Sequence, residues 1–91
     1  MAHNTDKVMI AMRKSRSVMD KVLKMLEQDQ YCIDVIQQNL AIIGLLRSAN
    51  LSLLEGHINH CVKDAAKQKD AKRLDEMMSE LLKVIQIAQS K

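Results

Sequence analysis

Three side chains carry soft-donor chemistry at a spacing that a helix can use: Cys32, His57 and Cys61. His57 and Cys61 are four residues apart, which on an α-helix puts them on one face with Cβ atoms ~6 Å apart, close enough to share a metal ion. Cys32 lies 29 residues before Cys61. Steps of ~100° bring position 29 back almost to its starting angle, so the two thiols face the same way, yet a straight helix separates them by about 43 Å. They cannot meet within one protomer. Two antiparallel copies would bring Cys32 of one to His57 and Cys61 of the other, and two-fold symmetry would make two equal sites. Two thiolates and an imidazole select copper(I) or zinc, and three donors without a fourth suit copper(I) better than tetrahedral zinc. The residues alone leave a plainer reading open, with both cysteines as small buried hydrophobes and His57 as an ordinary helix histidine. His-x-x-x-Cys by itself is a weak signal.

The elements that must position these residues read as helices throughout. There is no proline, there are two glycines, and Tyr31 is the one aromatic residue, while Leu, Met, Lys, Gln and Ala are abundant. These are helix formers, so the expected fold class is all-α. A first helix is expected from Thr5-Asp6 to about Glu27, with Val8, Met12, Met19, Val22 and Leu26 on one stripe and Lys7, Arg13, Lys14, Arg16, Lys21 and Lys24 opposite. Gln28-Asp29-Gln30 breaks it. A second helix is expected from Tyr31 to about Lys67, with Ile33, Ile36, Leu40, Ile43, Leu54, Ile58, Cys61 and Ala65 in a seven-residue rhythm. Such a helix is roughly 50 Å long. The rest of this chain is too short to cover it, so it needs another copy. After Lys67-Gln68-Lys69-Asp70, a third helix runs from about Ala71 to Gln89 with Leu74, Met78, Leu81, Ile85 and Ala88 as its stripe. The simplest architecture is a single domain over residues 1–91 with three helices per protomer, in which helices one and two pair in an antiparallel dimer to form a four-helix bundle.

Composition narrows the function classes. Ninety-one residues bury a thin core, which makes partner subunits the expected source of the remainder. No apolar run is long enough to cross a membrane and no leader pattern stands out, so reducing cytoplasm is the expected compartment and a structural disulfide is not expected. The net charge of +3 permits an anionic partner. No serine–histidine–acid set, glycine-rich phosphate loop or paired carboxylate motif stands out, so no enzyme activity is expected.

The stretch Tyr31-Cys32-Ile33-Asp34-Val35-Ile36-Gln37-Gln38, followed by Leu53-Leu54-Glu55-Gly56-His57-Ile58-Asn59-His60-Cys61-Val62-Lys63-Asp64-Ala65, resembles the copper-sensitive operon repressor (CsoR) family. The separation of the first cysteine from the His-x-x-x-Cys pair matches as well. In that family the Cys, His, Cys set is the copper(I)-sensing pattern. The nickel/cobalt branch has histidine where this chain has Cys61, formaldehyde sensors lack the second cysteine, and persulfide sensors lack the histidine. The resemblance implies a homodimer that associates into a homotetramer, an apo form that represses by gripping operator DNA, and release when copper(I) binds Cys32, His57 and Cys61. It implies a supporting role for Tyr31 and for an acidic residue of helix three, Glu76 or, one turn later, Glu80. Such groups orient a ligating histidine through its other nitrogen.

The expected DNA contacts are Arg13, Lys14 and Arg16, with Arg47 as the basic residue that interrupts the apolar rhythm of helix two. Family repressors carry Gly-Gln after the basic pair, and here Ser17-Val18 stands in that place. This departure motivates an alternative, a copper(I)-binding relative that acts as a buffer without reading DNA. A thiol-based persulfide sensor using Cys32 and Cys61 is a further alternative. His3 could join the amino terminus in binding a metal, while His60 is rotated ~100° from Cys61 and points off the site.

Overall fold

The computed structural model describes residues 5–89, and the described residues are helical apart from two short connections. Helix α1 spans Thr5–Glu27 and α2 spans Cys32–Gly56. A π-helical segment covers His57–Val62, α3 spans Lys63–Lys67, and α4 spans Ala71–Gln89. Every residue from Cys32 to Lys67 is therefore helical, as the sequence leads one to expect, but the helix type changes at His57. The chain divides into two compact units, residues 1–56 and 57–91.

The first unit is a helical hairpin. α1 and α2 pack on each other, and a connection of only four residues makes them antiparallel. Their buried and half-buried positions include Val8, Ala11, Ser15, Val18, Val22 and Met25 on α1 and Val35, Gln38, Ile42, Leu45, Ala49, Ser52 and Gly56 on α2, with Leu46 and Leu54 half-buried beside that row. The alternation of three- and four-residue steps is that of a coiled-coil seam. Near the connection the seam is filled by Val22, Val35 and Ile42, with Val18, Met25 and Leu46 against them. Towards the other end it narrows to Ala11, Ser15, Ala49, Ser52 and Gly56, small residues that let two backbones approach closely. Ser15 is 2% exposed, and its hydroxyl donates to the Ala11 carbonyl at 2.8 Å, which removes most of the cost of burying it.

This seam corrects the stripes expected from the sequence. Val8 and Val22 lie on it, but Met12, Met19 and Leu26 face outward, as do Ile33, Ile36, Leu40 and Ile43 of α2. Hydrophobicity alone favours the larger apolar residues for the inner face. The packed face instead uses smaller ones, because closely approaching helices leave little volume between them. In the second unit Ala65 and Met77 are buried and Leu74 and Leu81 half-buried, while Met78, Ile85 and Ala88 of the expected stripe are exposed.

Both connections are built alike. After α1 the Gln30 N–H donates to the Met25 carbonyl at 2.9 Å and the Asp29 N–H to Leu26 at 3.2 Å. After α3 the Asp70 N–H donates to Ala65 and the Lys69 N–H to Ala66, each at 3.1 Å. This is the Schellman closure, which places one residue in the left-handed region. Asp29 (φ 51°) and Lys69 (φ 55°) occupy it without being glycine. Asp70 then starts α4, its carboxylate accepting the Arg73 N–H at 3.0 Å. Lys69→Gly should therefore raise stability by about 0.5 kcal/mol, relief of left-handed strain outweighing the entropy of glycine in the unfolded chain. Asp70→Ala should lower it by about 1 kcal/mol through loss of the cap. Urea midpoints moving in opposite directions for these neighbouring substitutions check both assignments.

Candidate metal centre

The π segment coincides with the donor pair. Residues 56–62 read Gly-His-Ile-Asn-His-Cys-Val, and each belongs to the weaker half of the helix-propensity ranking. A run with so little preference for the α turn gives way most readily to the wider i→i+5 pattern, which recurs at functional sites. Four residues slightly overshoot an α turn and slightly undershoot a π turn, so His57 and Cys61 share one side of the helix in either form. Both are half-buried, whereas His60 between them is exposed. The expectation that His60 stands apart from the pair agrees with that difference.

Cys32 opens α2 and is exposed, directly after Tyr31, which is 67% exposed. The Tyr31 carbonyl accepts from the N–H groups of Asp34 and Val35 at 3.0 and 3.3 Å, which sets Cys32 in the first turn. Neither cysteine is in a disulfide. Among the described residues of the chain, no three His, Cys, Asp or Glu side chains gather closely enough to hold a metal ion. What the structure assembles is the His57–Cys61 pair, with Cys32 belonging to the other compact unit.

The acidic candidates on α4 are both engaged by one guanidinium. Arg73 Nη1 lies 3.2 Å from Glu76 Oε2 and 3.8 Å from Glu80 Oε1, with all three side chains about half exposed. Sequence reasoning misses Arg73, although its i,i+3 relation to Glu76 is a readable ion-pair spacing. Of the basic candidates, Arg13, Lys14 and Arg16 are exposed on α1 and Arg47 is exposed on α2. Val18 is half-buried and packs against the Val22, Val35, Ile42 cluster. One half of the Ser17-Val18 departure thus falls on the inner seam and only Ser17 on the surface. His3 lies outside the described residues.

A profile of the metal-sensitive transcriptional repressors matches residues 4–86. The chain belongs to that family. Among similar proteins, the copper-sensing transcriptional repressor CsoR of Bacillus subtilis is 40% identical over 63 residues, 69% of this chain and 59% of that protein. The copper-sensing repressor RicR of Mycobacterium tuberculosis is 48% identical over 44 residues, covering 48% of this chain and 46% of that one. CsoR of Mycobacterium ulcerans is 36% identical over 69 residues, 71% of this chain and 59% of its own length. The chain thus spans about half the length of the curated relatives it matches. No solved structure matches. The half-buried His57–Cys61 pair lies in unit 57–91, while Arg13, Lys14 and Arg16 lie in unit 1–56. No described helix is long and apolar enough to cross a membrane.

Proposed function

We propose that this chain is a cytoplasmic, copper(I)-responsive transcriptional repressor that holds operator DNA in its apo form and releases it when copper(I) joins Cys32 of one protomer to His57 and Cys61 of another. The observation that carries the reading is a histidine and a cysteine sharing one helical turn, with a second thiol 29 helical residues upstream. Soft sulfur and imidazole donors fit copper(I), and the ion would supply a low-coordinate centre tying two protomers together. The names of the relatives, copper-sensing repressors, support the same choice of ion.

The second protomer has its own support. Ile33, Ile36, Leu40 and Ile43 leave an apolar strip of α2 open to solvent, and a contiguous exposed strip of this kind marks an interface. An antiparallel homodimer across this strip, associated further into a homotetramer, would cover it and bring Cys32 towards a partner's His57–Cys61 pair. Tyr31 next to Cys32, and a carboxylate of α4, Glu76 or Glu80, would steady the ligands. Arg13, Lys14, Arg16 and Arg47 would meet DNA phosphates, giving an affinity that falls steeply with salt. Release requires that the metal bind one protomer arrangement better than the other, since equal affinity shifts nothing.

Anisotropy of labelled DNA from the gene's own promoter tests this, titrated with anaerobic apo-protein and then with copper(I). Tight binding reversed at about one copper per protomer is expected, with reversal lost in Cys61→Ala and in His57→Ala. Copper uptake without any DNA binding would replace this reading by the buffer alternative. An intact response in His57→Ala would point to thiol chemistry of Cys32 and Cys61. Arg13→Ala should reduce the slope of log affinity against log salt by about 1 for each protomer that holds a phosphate through this side chain. Leu40→Glu, at 60% exposure, should leave helicity unchanged and shift the mass measured by light scattering towards the monomer.

A further inference from the structure

A second row of α2 residues runs beside the packed seam. Ile36, Asn39, Ile43, Leu46, Asn50 and Leu53 each follow a seam residue by one position, which turns them ~100° round the helix. Five of the six are exposed, and Leu46 is half-buried against the hairpin cluster. Cys32 lies four residues before this row and His57 four residues after it. A helix of a four-helix bundle needs two such contact faces, one for the neighbour in its own hairpin and one for a helix of the partner.

The spacing of the row is the same read from either end. Counted forward from Cys32 the steps are four, three and four, to Ile36, Asn39 and Ile43. Counted backward from His57 they are again four, three and four, to Leu53, Asn50 and Leu46. An antiparallel, two-fold pairing that sets Cys32 against the partner's His57 therefore sets Ile36 against the partner's Leu53 and Ile43 against the partner's Leu46. It also sets Asn39 against the partner's Asn50, and these two are the only asparagines of α2.

We propose that Asn39 of one protomer and Asn50 of its partner are positioning residues: their amides pair and fix the register of two antiparallel α2 helices, which brings Cys32 to the partner's His57. This rests on the metal-site reading above and deepens it by naming what aligns the donors. An amide carries both donor and acceptor, so two facing amides satisfy each other. A slip of one heptad sets Asn39 against the partner's Ile43 in one direction and Asn50 against the partner's Leu46 in the other. Either way a polar group is left facing an apolar one. The same slip moves Cys32 about 10 Å along the axis from the partner's His57. Two leucines at these positions would hold the helices together without that discrimination, because a polar residue in a coiled-coil core specifies register at a cost in stability. Asparagine is also a poor helix former, so neither position owes its residue to helix propensity.

Cross-linking reads the register directly. In full-length chains carrying Cys32→Ser and Cys61→Ser, Asn39→Cys chains allowed to exchange with Asn50→Cys chains should give covalent dimers with a short thiol-specific cross-linker. Either variant alone should give almost none, each position lying about 16 Å along the axis from its own copy. With the native cysteines retained, Asn39→Leu or Asn50→Leu should weaken dimerisation about ten-fold by stranding the facing amide. The two substitutions together should bring it back to within about three-fold of the parent, since neither amide is then stranded. That double variant should nevertheless bind copper(I) about three-fold more weakly, read by competition with a chelator, because only one of three heptad registers then aligns the donors. No cross-link in the mixture, cross-linking of either variant with itself, or additive losses of dimerisation would overturn the pairing. Parental copper affinity in the double leucine variant would overturn its role in register. Unchanged copper affinity in His57→Ala would instead sink the metal-site reading while leaving the cross-link intact, which separates the two failures.

Discussion

The rest of the structure depends on α2 having two apolar faces while one chain covers only one of them. Val35, Ile42 and Ala49 are buried within the hairpin, whereas Ile33, Ile36, Leu40 and Ile43 remain outside. A helix packed on one side only loses the stabilisation its second apolar side could supply, and hydrophobic burial is the largest favourable term available to so small a chain. Away from the connection the covered face is lined by small residues, so that part of the hairpin gains little buried area. Incompleteness at this level is what motivates the proposed second copy as a source of core and of a third donor.

Chemistry and local backbone preference meet at residues 56–62. Histidine, cysteine and asparagine are poor helix formers, so a helical turn that must carry donors is weakened by those donors. Here it adopts the wider π pattern while keeping His57 and Cys61 on the same side. Stability around it comes from elsewhere: the Schellman closure after α3, the Asp70 cap and the Arg73 ion pairs that begin α4. The donors thus sit in a segment of weak α preference directly followed by a well-terminated one, and such low-stability stretches are where proteins place elements that change on binding.

The basic face of α1 owes its exposure to the same seam. With Ala11, Ser15, Val18 and Val22 turned inward, Arg13, Lys14 and Arg16 face solvent. The valine at position 18 serves the core, so the surface change relative to the family pattern is confined to Ser17.

Much of the molecule is legible from residue types and spacing. Absence of proline and abundance of helix formers determined the all-helical class, and the polar breaks at residues 28–30 and 67–70 determined where the helices end. The four-residue spacing determined that His57 and Cys61 share a side, since it stays close to one turn in either helix type. Three things were decided only by tertiary structure. Which apolar stripe is inner could not be read from hydrophobicity, because α2 has two and close approach favours the one with smaller residues. The π segment depends on a small balance between two hydrogen-bond patterns, of which low propensity is a hint and not a determinant. The unequal hold of Arg73 on Glu76 and Glu80, 3.2 against 3.8 Å, is a difference that sequence spacing is too coarse to resolve.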